Sequence, residues 1–313
     1  MPHDRHDHDH DHDHDHHHAH HAPARFGRAF AIGAALNIAL VAAQVAFGLA
    51  ANSMALLADA VHNAGDVLGL LLAWGAFVLA RRLPTARRTY GWGRSTILAA
   101  LVNAMVLLIS VGAIAVEAVQ RLLAPAPVAG TTVIWVAGAG ILVNGLAALL
   151  FTRGHEDLNI RATFLHLAGD TAISAGVMLA AIAITITGRL WIDPLASLAI
   201  AALITASTWG VLRDAANLAM DGVPSRIARD EVGAWLLALP GVTEVHDLHI
   251  WGLSTTDAAL TAHLVRDERA DDQELIRVAS HGLGERFHIG HATLQIETPV
   301  VAESCRLRPA DVV

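Results

Sequence analysis

At 313 residues, 54% of them hydrophobic and 16% charged, with a mean hydropathy of +0.47, the chain is too apolar for an ordinary soluble protein. Its single cysteine, Cys305, excludes an internal disulfide and a thiolate metal cluster, so His and carboxylates are the expected ligands of any metal, and 20 histidines are available. The formal charge of −8 excludes little, because the first 21 residues alone hold six Asp against one Arg.

Residues 1–24 begin MPHDRHDHDHDHDHDHHHAHH, a tract too polar to bury the surface that folding requires, and are expected to be disordered. The tract lacks the basic n-region and apolar h-region of a secretion signal, so no signal peptide is expected. Six apolar runs follow between residues 25 and 212, at about 29–50, 54–80, 96–119, 131–151, 160–187 and 191–212. Each is near the ~20 residues that cross about 30 Å of hydrocarbon. The breaks between them are short: GLAANS, ARRLPTARRTYGWGR, APAPVAG, FTRGHEDLN and TGRLW. With no lysine in the chain, orientation rests on arginine. Arg25 and Arg28 precede the first run, Arg81, Arg82, Arg87, Arg88 and Arg94 lie between the second and third, Arg153 and Arg161 flank the fourth connection, and Arg213 follows the sixth. The opposite connections hold only Arg121 and Arg189, so by the positive-inside rule both termini are expected in the cytoplasm.

From residue 213 to 299 the composition turns polar. SRIARDEVGAWLLALP reads as an amphipathic helix, VTEVHDLHIWGL and DAALTAHLVR as strands, DDQELIRVASHGLGERF as a second helix and ATLQIETPV as a last strand. This α-β-β-α-β order predicts a small α+β domain with its helices on one face of the sheet, followed by a tail over 300–313.

The second apolar run contains LLADAVHNAGDVLGLLLAW, which places Asp59, His62 and Asp66 in a segment meant for hydrocarbon. An ionised carboxylate at mid-bilayer costs about 2.5–3.5 kcal/mol on insertion scales. His62 and Asp66 are four apart and share one helix face. The fifth run repeats the spacing in FLHLAGDTAISAG, with His166 and Asp170. Two imidazoles and two carboxylates form a tetrahedral set suited to Zn²⁺. A structural His–Asp hydrogen bond would offset the cost within one span; its repetition in a second favours a shared ion. One tension stands against this: the first pair is centred 16 residues before Ala80 and the second 10 residues after Leu158, a depth mismatch of about 9 Å at 1.5 Å per residue. Asp59 is open between a polar cavity, a neighbouring helix and the ion. Asn37, Gln44, Asn63, Asn103 and Asn144 are expected as interhelical hydrogen-bond partners or cavity linings.

The blocks GLAANSMALLADAVHNAGDVLGLLLAWGA, PTARRTYGWGRSTILAALVNA, LNIRATFLHLAGDTAISAGV and WIDPLASLAIA resemble the cation diffusion facilitator family of zinc-exporting membrane proteins, over about residues 25–299. The resemblance implies an α-helical membrane protein with six transmembrane helices and a cytoplasmic ferredoxin-like regulatory domain, assembled as a homodimer in a bacterial cell membrane. It implies export of Zn²⁺ against H⁺, with other divalent ions left open, and partners limited to metal ions, protons, lipid and a second copy rather than nucleic acid. It sets the transport site on His62, Asp66, His166 and Asp170; the first position is His where some members have Asp, a choice associated with zinc over cadmium. A loop-borne second site of some members has no counterpart, since ARRLPTARRTYGWGR offers neither acid nor histidine. Unperturbed His and Asp titrate at about 6.5 and about 3.9 and must be deprotonated to ligate, so protons and metal compete for the same atoms. Alternating exposure of the site is implied by the resemblance.

On this reading the His/Asp tract is a native zinc-collecting tail, interrupted unlike a purification tag, and transport is expected without it. In the C-terminal domain His246, Asp247, His249, His263, His281, His288, His291 and Glu297 are candidates. The resemblance points to regulatory zinc sites at the dimer contact, with His246 and His263 first and Glu297 and His249 behind them. Regular strand alternation sets His246 and His249 on opposite faces. A solvated or hydrogen-bonded structural role remains open for each histidine. Two other functions compete with transport. An intramembrane metalloenzyme would need a zinc-bound water, but HEDLN at 155–159 has Asn159 where HExxH needs its second His, and a full four-ligand set leaves no open position, so the chain is not expected to be an enzyme. A membrane-anchored metal sensor would leave the ligands in the spans without a purpose.

Overall fold

The computed structural model describes residues 26–150 and 158–309. The His/Asp tract and the connection holding His155 and Glu156 lie outside them. Six long helices come first: α1 (Phe26–Ala50), α2 (Met54–Ala80), α3 (Ser95–Leu123), α4 (Gly130–Leu150), α5 (Leu158–Thr187) and α6 (Ile192–Ala219). Helices α2 to α6 are long and apolar enough to cross a membrane, and Ala35–Ala50 of α1 is a shorter apolar helix. Large apolar side chains point outward, among them Trp74, Phe77, Ile109, Trp135 and Ile186, as expected where hydrocarbon is the solvent.

Lipid tails are as apolar as leucine, so the interior is held by close packing of small residues. Ala51, Ala55, Ala58, Ala137, Ala181 and Ala201 pack with Leu56, Val177 and Ile204. At Gly140 of α4 a Cβ would stand 2.9 Å from Ser174 Oγ of α5, so only glycine lets these helices approach so closely. Helix α2 is the hub, packing against α1, α3, α5 and α6. Its first turn is held from another helix. Ser53 caps it by accepting from the Leu56 amide, and Asp193, in the first turn of α6, accepts from Ser53 Oγ at 2.5 Å and from the Met54 and Ala55 amides at 2.6 and 3.3 Å. Orphan amides at a helix start need such acceptors, most of all where water is excluded.

The C-terminal domain comprises α7 (Arg229–Leu237), β1 (Val242–Gly252), β2 (Ala258–Arg266), α8 (Asp272–Phe287), β3 (Ile289–Glu297) and the short α9 (Pro299–Ser304). The sheet runs β1-β2-β3, antiparallel then parallel. Val232, Leu236, Leu260, Leu264, Ala279 and Leu283 form its core, where α7 and α8 cover one face. The first helix is shorter than the sequence pattern predicts because Pro224 and the turn that follows hold the chain out of helix until Arg229. The last strand starts three residues earlier than expected, at Ile289, and α9 occupies a segment read from sequence as tail.

The expectation that His246 and His249 face opposite ways is corrected. His246 pairs with His263 and His249 with Thr261, so three steps along β1 match two along β2. The extra residue forms a bulge in which Asp247 takes a left-handed conformation, φ 50°, a region that Asp tolerates. Cross-strand partners share a face, and His263 and Thr261 are two apart, so both histidines lie on the face away from α7 and α8. The domain meets the membrane helices through the turn after β1, where the Thr255 amide donates to Thr96 Oγ1 at 3.1 Å, and through an Arg94–Asp221 ion pair.

Asp193→Ala strands the opening amides of α2 and is expected to destabilise the detergent-solubilised protein by about 1–2 kcal/mol, seen as a lower thermal unfolding midpoint, with Asp193→Asn losing less. A midpoint unchanged in Asp193→Ala would show that the cap is not a stabilising tie.

Candidate metal centre

The packing of α2 on α5 brings the two His–Asp pairs to one level. His62 Nε2 lies 3.0 Å from Asp170 Oδ1 and 4.0 Å from Asp66 Oδ2, while His166 Nε2 lies 3.7 Å from an oxygen of each Asp. Tetrahedral zinc with bonds of about 2.0–2.1 Å has donor–donor edges of about 3.3–3.4 Å, inside this range. His62, Asp66 and Asp170 offer atoms that lie within 4.8 Å of one another. His166 stands further out, its ring 6.5 Å from that of His62 and its side chain 53% exposed against 7% for Asp170. The residues fit a divalent ion by a second measure: Asp66 Oδ2, the oxygen that faces both histidines, is buried without a hydrogen-bond partner, an arrangement otherwise costly. The depth mismatch of about 9 Å is taken up by stagger: α2 runs 16 residues beyond the centre of its pair, whereas α5 begins 10 residues before its own.

The four side chains border a cavity of about 370 Å³, completed by Asn103 of α3 and by Ser207 and Thr208 of α6. Four helices therefore surround this cavity. Asn103 serves as a lining residue, as the sequence allowed. Asp59 turns the other way. It is fully buried, one oxygen accepting from Gln44 Nε2 at 2.7 Å and Ser174 Oγ at 2.9 Å, the other from Asn63 Nδ2 at 3.3 Å, and Asn63 donates onward to Gln44 Oε1. Of the three roles open to Asp59, the structure gives it that of a tie between α1, α2 and α5. Asn144 is buried in α4 and Asn37 half-buried in α1.

In the C-terminal domain the candidates divide. His246 and His263 are cross-strand neighbours with ring centroids 5.1 Å apart, and Glu297 of β3 reaches both, at 3.4 Å from His246 Nε2 and 3.1 Å from His263 Nδ1. His249 instead bonds Asp247 Oδ1 at 2.8 Å, and the other Asp247 oxygen lies 3.4 Å from His263 Nε2. His281 pairs with Glu285 on the exposed side of α8, His288 ends that helix in a left-handed conformation, and His291 meets the Tyr90 ring edge-on at 5.2 Å. Cys305 cannot build a thiolate cluster alone, but its Sγ lies 3.6 Å from His263 Nδ1, beside that group. Nothing in local sequence signals this, because the short turn of α9 is what folds Cys305 back. Next to it Arg308 grips Glu244 with two bonds, at 2.9 and 2.7 Å, and holds that carboxyl below the usual Glu range. The tie is therefore present above the ordinary Glu value and is lost as pH falls through the lowered one.

Apolar helices enclosing a cluster of imidazole and carboxylate donors, with a small α+β domain attached, define a membrane protein that handles cations. The family profile described as the cation efflux transmembrane domain matches residues 30–218, and that of the cation efflux protein cytoplasmic domain matches residues 224–299. The chain belongs to the cation efflux family, the cation diffusion facilitators, and is an integral membrane protein of a family of zinc, cadmium and cobalt efflux transporters rather than enzymes. It is 36% identical over 282 residues to the zinc transporter ZitB of Escherichia coli, covering 89% of each chain. The cation efflux system protein CzcD of Alcaligenes sp. is 34% identical over 272 residues, 86% of each chain. The cadmium, cobalt and zinc/H(+)-K(+) antiporter of Bacillus subtilis is 35% identical over 257 residues, 80% of this chain and 82% of that one. A solved structure of the metal-bound C-terminal domain of the CzcD transporter from Cuprividus metallidurans matches at 38% identity with a TM-score of 0.22, covering 23% of this chain and 99% of that one.

The two acids of α2 are expected to separate in their effects. Asp59→Ala leaves Gln44 and Ser174 unsatisfied and should lower stability by about 1–3 kcal/mol in thermal unfolding. Asp66→Ala should leave the unfolding midpoint of metal-free protein near or above wild type, because it removes an uncompensated buried carboxylate, while abolishing the stabilisation that added Zn²⁺ confers. Equal loss of stability in both variants would contradict the division of roles.

Proposed function

We propose that this protein exports Zn²⁺ from the cytoplasm in exchange for H⁺, carrying the ion between α2 and α5 on His62, Asp66, His166 and Asp170. The observation that carries the reading is the convergence of two His–Asp pairs from different helices, with His62 Nε2 3.0 Å from Asp170 Oδ1 and the unpartnered Asp66 Oδ2 beside them. The relatives named as a zinc transporter and as an antiporter support the cargo and the exchange. Cadmium and cobalt, named for the Bacillus relative, are the cargo that would compete.

The chemistry follows from the donors. Two ionised carboxylates carry a charge that one divalent cation cancels, and protons cancel the same charge when the metal leaves. A low pH on the side of release therefore promotes dissociation, and a higher pH on the side of entry restores the ligands. On this reading His166, the more exposed of the four side chains, is the first donor to meet an incoming ion and Asp170, the most buried, the last. The arginine distribution supports cytoplasmic termini, and with them a cytoplasmic C-terminal domain in which zinc on His246, His263 and Glu297 regulates transport. The profile of that domain is in keeping with a homodimer. The His/Asp tract raises the local zinc concentration without being required.

In proteoliposomes, Zn²⁺ movement should be accompanied by an opposing pH change and accelerated when the release side is acidified. His62→Ala and Asp170→Ala should reduce flux to that of empty vesicles while the helical circular dichroism is retained, and deletion of residues 1–24 should preserve transport. Flux in loaded vesicles equal to that in empty ones, or flux surviving in Asp170→Ala, would refute the proposal.

A further inference from the structure

His246 is 4% and Glu297 1% exposed, yet His246 Nε2 and Glu297 Oε2 lack a hydrogen-bond partner, while the other ring nitrogen of His246 faces Glu244 Oε1 at 3.6 Å. Burying two unpartnered polar atoms side by side is costly unless something absent from the polypeptide joins them. Their separations say what. His246 Nε2 stands 3.4 Å from Glu297 Oε2, and His263 Nδ1 stands 3.1 Å from Glu297 Oε1 and 3.6 Å from Cys305 Sγ. Of these, the 3.4 Å separation is long for a hydrogen bond. They match the edges of a tetrahedron around zinc, about 3.3–3.4 Å between nitrogen or oxygen donors and about 3.5 Å where one donor is sulfur.

The structure assigns Cys305 as the fourth donor of a zinc-type site completed within one protomer by His246, His263 and Glu297. The assignment rests on the reading of the C-terminal domain as metal-binding and changes its ligand set, with Cys305 replacing His249. The four residues offer donor atoms within 4.8 Å of one another. Asp247 acts from behind. It faces His263 Nε2 at 3.4 Å, leaving Nδ1 to the metal, and its other oxygen engages His249. Gln295 Nε2 donates to Glu297 Oε1 at 2.7 Å and orients that carboxylate. Three local features hold Cys305 in place. Thr298 caps α9, α9 turns the chain back, and Arg308 fastens the residues after Cys305 to Glu244 on β1. A thiolate in the set favours Zn²⁺ and Cd²⁺ over harder ions such as Mg²⁺ and Mn²⁺.

Because Cys305 is the only cysteine, a sulfur-to-cobalt charge-transfer band in the near ultraviolet reports it alone. Imidazole and carboxylate sites give no such band. Full-length protein in detergent, carrying Asp66→Ala and Asp170→Ala to silence the membrane site, is titrated with Co²⁺. The band should appear, vanish in Cys305→Ser, be lost with His246→Ala and Glu297→Gln combined, and persist in His249→Ala. Asp247→Ala should weaken Zn²⁺ binding about 10–100-fold, read as displacement of Co²⁺. Folding of each variant is followed by circular dichroism. No band, with Co²⁺ uptake still lowered by the His246→Ala and Glu297→Gln pair, would overturn the thiolate assignment alone. No band, with uptake indifferent to that pair, would overturn the metal-binding reading of the domain as well. A band that survives the pair would place Cys305 in another site and equally refute the proposal.

Discussion

Two carboxylates enclosed by apolar helices must be given positive charge, and that requirement organises the membrane half of this protein. Asp66 and Asp170 face each other across α2 and α5 with imidazoles as their nearest titratable neighbours, and no Arg side chain among the described residues borders their cavity. Neutral imidazole supplies donors but no charge. A divalent cation satisfies the cluster, and so do protons, while neither can occupy it fully in the presence of the other. Competition for one set of atoms is thus built into the choice of His and Asp, and it makes the site suited to exchange rather than permanent storage.

Such a site has to be both well positioned and movable, and α2 shows how the two demands are divided. Its first turn is fastened to α6 through Asp193, and its second and third turns to α1 and α5 through Asp59, Gln44, Asn63 and Ser174. The candidate ligands His62 and Asp66 interleave with these ties on the side of the helix that borders the cavity. The acids of this helix differ in what meets them. Asp59 receives neutral hydrogen-bond donors, which position it. Asp66 receives histidines at 3.7 to 4.0 Å and an unpartnered oxygen, which is what an ion requires.

Much of this is legible in the chain. The six apolar runs, the polar C-terminal domain and the repeated four-residue spacing of His62–Asp66 and His166–Asp170 follow from periods that a helix or strand imposes locally. What is not legible depends on pairing between distant segments. The bulge at Asp247 is invisible to a count by twos, and it takes His246 off the face of Leu248 and Ile250 and onto that of His249. Asp59 cannot be told from a ligand without Gln44 and Ser174 in view, since those partners lie 15 and 115 residues away. Cys305 is hidden for a similar reason: one cysteine cannot make a thiolate cluster, but it can complete a mixed set once a short helix returns it to β2. The apparent depth mismatch comes from assuming that helices end level, which packing does not require.

Where a metal ion sits among the membrane helices is therefore decisive. Zinc-edge anomalous scattering from crystals of the full-length protein grown with Zn²⁺ tests this directly. A peak enclosed by His62, Asp66, His166 and Asp170, absent in crystals of Asp66→Ala, is the predicted result. Peaks confined to the C-terminal domain at saturating zinc, with those four side chains left apart, would contradict it.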